Sequence, residues 1–172
     1  MNMIRQAREG DLIDILDIYN DAILNTTAVY SYKAQTLEDR TAWLCNKIDD
    51  GYPVFVYDDG VEVFGFSTYG PFRAWPAYKY TIEHSVYVAP QARGKGVGIS
   101  LMRALIADAV GRGYATMVAG IDSENTISIR MHEKLGFKFS GTITKAGYKF
   151  GRWLDLAFYQ LDLGGPEEPS ED

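Results

Sequence analysis

The chain of 172 residues has one cysteine, Cys45, which excludes an intramolecular disulfide and a multi-cysteine metal site. It also lacks basic surplus: 17 Lys and Arg stand against 23 Asp and Glu, for a formal net charge of −6. Nucleic acid as the main partner is therefore disfavoured, because a phosphate backbone needs a basic face. No apolar run approaches the ~20 residues that cross a bilayer, and Met1-Asn2-Met3-Ile4-Arg5 has none of a signal peptide's apolar stretch. The expected compartment is the cytoplasm, with no membrane partner. What is present suffices for a core, since 47% of the residues are hydrophobic. The length fits one domain, at roughly 100–200 residues each.

Periodicity gives the order βααβββαβαββ, one mixed α/β sheet with helices on both faces. Ile4 to Ala7 opens it as a strand. Leu12, Ile15, Leu16, Tyr19, Ala22 and Ile23 recur at helical spacing behind Asp11, a candidate cap. Thr36 and Asp39 form a capping-box pattern for a second helix through Trp43, Leu44 and Ile48, in which Cys45 is expected to be a small buried residue. Pro53–Tyr57 and Val61–Tyr69 flank Asp58-Asp59-Gly60 as a hairpin. Strands are expected at Thr81–Val88 and Met117–Ile121, and helices at Gly96–Arg112 and from Asn125 to Leu135. Two closing strands, Phe137–Thr144 and Trp153–Leu161, surround a turn-rich Lys145–Gly151. The domain is expected to end near residue 163, with 164–172 a disordered acidic tail.

The most informative segment is Arg93-Gly94-Lys95-Gly96-Val97-Gly98, between a strand and an amphipathic helix. Glycines let the backbone wrap an anion closely, and N–H groups at a helix start carry partial positive charge. A nucleotide-hydrolysing P-loop is not supplied, for want of G-x-x-x-x-G-K followed by Ser or Thr. A dinucleotide fingerprint fits poorly too, because the third glycine arrives one residue early and Tyr114 stands where an acid is wanted.

The pattern that fits is R-x-x-G-x-G, as Arg93-x-x-Gly96-x-Gly98. With Tyr80-Thr-Ile-Glu-His-Ser-Val-Tyr-Val88, Val118-Ala-Gly-Ile-Asp-Ser-Glu-Asn125 and Lys149-Phe-Gly-Arg-Trp-Leu-Asp155, the chain resembles the GNAT (Gcn5-related) N-acetyltransferases. Within them it is similar to the branch acetylating phosphinothricin, methionine sulfoximine and methionine sulfone. The resemblance implies a single GNAT-type domain, with a mixed, mostly antiparallel sheet of about seven strands and four helices. Acetyl-CoA is then the co-substrate, with no metal, and the family is usually homodimeric. The cofactor would be held by Arg93, Gly94, Lys95, Gly96, Val97, Gly98 and Ile99, with Val86, Tyr87 and Val88 meeting the acetyl and pantetheine portion. Asn125 and Ser128 would meet the cofactor arm, although Asn125 also reads as a helix N-cap.

Acetyl transfer needs a neutral amine, whereas an α-amino group is largely protonated near neutral pH. Glu83 is the candidate base, since a carboxylate in an apolar strand is costly to bury without a task or a partner. Alternation puts Glu83 and Ser85 on one face of the strand, His84 and Val86 on the other. A backbone N–H can polarise the thioester without any side chain. His132 occupies a position where many GNAT enzymes carry a tyrosine that protonates the thiolate, so it is the candidate acid. Cys45 has no histidine near it in sequence, so direct attack in a ternary complex is preferred over an acetyl-enzyme.

For the acceptor, resemblance places Arg73 on the substrate carboxylate, with Ala74 and Trp75 walling a pocket opposite Glu83, His84 and Ser85. Lys149 and Arg152 reach the same pocket or a partner subunit's. Gly70-Pro71-Phe72-Arg73 departs from the branch's frequent Gly-Asp-Trp-Arg and lacks its acid, which leaves head-group preference open. Two alternatives stand beside this reading: a GNAT enzyme acting on a protein N-terminus or another amine, and a CoA-binding module without turnover.

Overall fold

The structure, a computed structural model, describes residues 3–171. Among them the order is β1 (Met3–Gln6), α1 (Leu12–Asn25), α2 (Leu37–Asp49), β2 (Val54–Asp58), β3 (Val63–Pro71), β4 (Thr81–Val88), α3 (Val97–Gly111), β5 (Thr116–Asp122), α4 (Thr126–Lys134), β6 (Lys138–Lys149) and β7 (Arg152–Asp162). The strands form one seven-stranded sheet in the order β1-β2-β3-β4-β5-β7-β6. Pairing is antiparallel for β1–β2, β2–β3, β5–β7 and β6–β7, and parallel for β4–β5. The expected α/β class, with a mixed and mostly antiparallel sheet, is what folds.

Two compact units are distinguishable. The first takes the chain up to Tyr69 together with Ser85–Leu105. Its core joins Ile15 and Ile18 of α1, Val56, Val63 and Phe66 of the hairpin, and Val97 and Leu101 of α3. Fully burying one such side chain contributes about 1.5–3 kcal/mol. Gly65 is required by close approach. A Cβ there would lie 2.9 Å from the Tyr87 carbonyl oxygen, 3.0 Å from Leu101 Cδ1 and 3.1 Å from Val97 Cγ1. The start of α3 is thereby seated tightly on β3 and on the end of β4.

The capping box of α2 forms as read: Thr36 Oγ1 accepts from the Asp39 N–H (3.1 Å) and the Asp39 carboxylate accepts from the Thr36 N–H (2.8 Å). The rest of α2 corrects the reading. Cys45 is exposed rather than buried, and Ile48 is 62% exposed. The inward row is instead Arg40, Trp43, Leu44 and Lys47, at i, i+3, i+4 and i+7, and Cys45 lies nearly opposite its centre. Arg40 is tolerated inside because its guanidinium lies 3.9 Å from the Tyr19 ring centroid and 4.3 Å from that of Trp43, and donates to Gln35 Oε1. Asp11 also behaves differently: its side chain makes no cap bond to α1. It accepts from the Arg8 N–H (2.7 Å) and from Arg5 (2.7 and 2.8 Å), which also binds Asp58 (2.6 Å). These contacts hold the Asp11 carboxyl below its usual range.

The second unit comprises Gly70–His84 and the chain from Ile106 onward. Ile82, Met117 and Leu154 are among its fully buried side chains. The segment expected to turn at Lys145–Gly151 is mostly strand, because β6 runs on to Lys149 through register shifts between Phe139 and Gly141 and between Ile143 and Gly147. Its turn-forming residues mark bulges, one pinned by the Lys145 N–H on Asp155 Oδ1 (2.8 Å). The reversal is left to Phe150 and Gly151, whose φ values of 52° and 76° suit a two-residue hairpin turn. Past β7 the chain is irregular, and Tyr80 Oη accepts from the Ser170 N–H (3.1 Å).

Candidate active site

In the first unit, β4 runs out at Val88 and a short 3-10 turn at Pro90–Ala92 leads into residues 93–96. Gly94 and Gly96 adopt φ of +76° and +83°, which L side chains rarely take. α3 begins at Val97, and its first amides have no partner within the helix. The amides of Val97, Gly98 and Ile99 therefore open a turn of the kind that can accept an anion. The Arg93 guanidinium is engaged locally, donating to the Val88 carbonyl (3.2 Å) and to Asp21 (2.6 Å). Lys95 is exposed at the loop tip. Of the residues read as meeting the acetyl arm, Val86, Tyr87 and Val88 are half-buried, with Tyr87 packed edge-on against Tyr19 at 5.3 Å.

In the second unit, alternation along β4 sends Glu83 and His84 to opposite faces, and their environments diverge. Glu83 is half-buried, and burial raises its carboxyl pKa, with Arg73 pulling partly the other way. Arg73 is exposed on the loop before β4, its guanidinium 4.3 Å from the Phe72 ring centroid and donating to the Phe72 carbonyl (3.0 Å). Trp75 is 74% exposed and Ala74 is exposed beside it. Ser85 is half-buried and belongs to the first unit.

His84 faces inward and meets the candidate acid. His84 Nε2 and His132 Nε2 are 3.0 Å apart, the rings lie within 14° of parallel, and Phe137 packs edge-on against both. The Ser128 carbonyl, 2.7 Å from His132 Nδ1, can only accept. It therefore assigns the His132 proton to Nδ1 and leaves Nε2 to accept from His84 Nε2–H. His84 Nδ1 is then a bare acceptor, buried and without a hydrogen-bond partner. Burial lowers the pKa of both imidazoles, His84 most. The pair is neutral near pH 7, and its one outward-directed N–H is already spent on a carbonyl.

Asn125 caps α4: Oδ1 accepts from the Ser128 N–H (3.1 Å). Arg152 pairs with Asp122 (3.5 Å) and Glu124 (3.1 Å), whereas Lys149 is buried, which lowers its pKa. The reading of the sequence missed Gly120, whose bare backbone lies against the Glu83 carboxylate. A glycine inside the expected strand Met117–Ile121 was the available signal. The contact of His84 with His132, 48 residues apart, left no signal in the sequence.

Residues 14–137 match the family model described as the acetyltransferase (GNAT) family. The L-methionine sulfoximine/L-methionine sulfone acetyltransferase of Pseudomonas aeruginosa is 47% identical over 161 residues, 93% of this chain and 94% of its own length. The phosphinothricin N-acetyltransferase of Streptomyces coelicolor is 38% identical over 167 residues, 93% and 95% of the two chains. Among solved structures, a Salmonella typhimurium acetyltransferase with its cofactor acetyl-CoA superposes with a TM-score of 0.93 at 42% identity, covering 99% of this chain and 98% of that one.

Proposed function

The chain belongs to the acetyltransferase (GNAT) family and is an acetyl-CoA-dependent N-acetyltransferase, and from that premise we propose its acceptor: the α-amino group of a small amino acid analogue, L-methionine sulfone, L-methionine sulfoximine or phosphinothricin. The observation that carries this reading is Glu83, a half-buried carboxylate made more basic by burial and standing in the field of Arg73. A zwitterionic acceptor needs one group to take an ammonium proton and one cation for its carboxylate, and this pair supplies both. The relatives named above act on such acceptors.

In the proposed reaction the amides of Gly94 and of Gly96 to Ile99 hold the coenzyme's diphosphate, with Lys95 adding charge and Arg93 bracing the loop through Asp21. Main-chain groups of Val86 to Val88 meet the acetyl and pantetheine portion, and a backbone N–H polarises the thioester oxygen. Asn125 and Ser128 line the coenzyme arm. Arg73 takes the acceptor's carboxylate, beside Ala74 and Trp75.

Glu83, directly or through a water, removes one proton from the ammonium. The free amine attacks the thioester carbon, the C–N bond forms, and the C–S bond breaks as the intermediate collapses. The proton shed by the nitrogen neutralises the departing thiolate, so His132 need not donate one. Its geometry argues against that role as well, since its only N–H is held by the Ser128 carbonyl. His132 and His84 instead act as a neutral buried brace behind the active strand.

We further assign a cytoplasmic homodimer. Ile143, Tyr148, Phe150 and Trp153 stand about half exposed on the β6–β7 hairpin and supply apolar surface for a second copy; sedimentation equilibrium reads that state directly. The function is tested by a thiol-release screen with mass spectrometry of the products. Mono-acetylated methionine sulfone, methionine sulfoximine or phosphinothricin is expected. Turnover on a peptide N-terminus or a polyamine, with none on the three analogues, would overturn the substrate assignment.

A further inference from the structure

A glycine within a strand forgoes packing and loses more chain entropy than other residues, so it calls for a local reason. Gly120 sits mid-way along β5, paired with Phe158 of β7. Its φ lies outside the left-handed region, so backbone conformation is not that reason. The neighbours are. A Cβ at Gly120 would stand 3.3 Å from Glu83 Oε1, 3.4 Å from Leu156 Cδ1 and 3.7 Å from Phe158 Cε1.

We propose that Gly120 is a positioning residue for the Glu83 carboxylate: its missing side chain opens the seat in which Oε1 rests, and Leu156 and Phe158 wall that seat with hydrocarbon. The proposal rests on the reading of Glu83 as the base. At 3.3 Å a methyl group is tighter than ordinary contact with an oxygen, so the carboxylate shifts by a few tenths of an ångström or rotates. A base held in near-attack geometry loses rate steeply when it is displaced. The wall matters in the same way, because hydrocarbon excludes the water that would stabilise the charged form. The charged groups around the seat are few in kind. Arg73 acts on Glu83 from the loop before β4 and favours the carboxylate. On the same face of β5, Val118 is uncharged and Asp122 is tied to Arg152 at 3.5 Å. From β7, Leu156, Phe158 and Gln160 are uncharged.

The test compares Gly120→Ala, Gly120→Ser, Leu156→Ala and Glu83→Gln with the wild-type enzyme. It measures kcat and the acid limb of kcat/KM with L-methionine sulfone, and acetyl-CoA binding by calorimetry. Gly120→Ala is expected to lower kcat roughly 3- to 10-fold, with acetyl-CoA affinity within twofold of wild type. Gly120→Ser adds a hydroxyl that donates to Oε1, and moves the acid limb to lower pH. Leu156→Ala keeps the glycine, admits water, and also moves the limb down; it reads the seat even where the glycine variants fail to fold. Wild-type kcat and an unmoved limb in these variants, with Glu83→Gln inactive, would overturn the positioning role while leaving the base intact. Wild-type turnover by Glu83→Gln would overturn the base assignment itself, and the seat with it.

Discussion

The loop from Arg93 to Gly98 and the first half of β4, the two regions of the proposed site, present different parts of the polypeptide. In the loop the groups on offer are main-chain amides, and the sequence matters through what it permits: two glycines at φ +76° and +83° and a helix start at Val97. In β4 the groups on offer are side chains, and consecutive residues meet opposite fates. Burial raises the Glu83 carboxyl and lowers the His84 imidazole. Desolvation penalises charge of either sign, so it turns the carboxylate into a better base and holds the imidazole neutral. A backbone site is thus defined by conformation, and a side-chain site by solvation.

The largest effect that separates the two regions is expected from Glu83→Gln. Turnover at neutral pH should fall about 10²- to 10⁴-fold, with acetyl-CoA affinity unchanged in calorimetry. Loss of coenzyme binding along with rate would collapse the distinction. The wild-type acid limb should also fall above the ordinary glutamate range, because the Glu83 pKa is raised.

A smaller effect is expected in the loop. Gly96→Val forces a β-branched residue into φ +83°, a strain of about 1–3 kcal/mol. The KM for acetyl-CoA should rise roughly tenfold, with kcat at saturation within a factor of about three. A fall in kcat without a change in KM would mean that the loop acts on the chemical step.

The smallest effect concerns stability rather than rate. His84 and His132 have folded pKa values below the unfolded value of about 6.5, so the unfolded chain binds protons that the native one refuses. Their stabilising contribution is complete above that value and is lost as pH falls through it. The slope is about 1.4 kcal/mol per pH unit for each proton, or a few degrees in Tm. Glu83, with a raised folded value, acts with the opposite sign and disfavours the native state once pH passes its unfolded value. Scanning calorimetry between pH 7.5 and 5.5 should show a declining Tm that is flatter in a His84→Leu/His132→Leu double variant. Parallel slopes would remove the pair from the account.

Legibility in the sequence followed the same division. β4 occupies Thr81–Val88 as read, and the Thr36–Asp39 box forms both reciprocal bonds, since each depends on residues a few positions apart. Errors arose where the partner belongs to another element. Asp11 has a cap's composition, but the Arg5 guanidinium and the Arg8 N–H draw its carboxylate away. Cys45 is small and mid-helix, but the inward row of α2 is set by Tyr19 of α1 receiving Arg40. The strand β6 runs through Lys145, because Asp155 of β7 absorbs the irregularity. In the site the glycine turn was readable and Gly120 left its signal as a glycine inside a strand, whereas the contact of His84 with His132 left none.

By itself, the sequence determined the elements, the glycine turn at a helix start and the carboxylate in the strand before it, because periodicity, glycine conformation and side-chain chemistry are local properties. Only the tertiary structure decided how basic that residue is and which nitrogen of His132 carries its proton. Protonation depends on the water excluded and the dipoles supplied by neighbours, and those neighbours are brought up by folding.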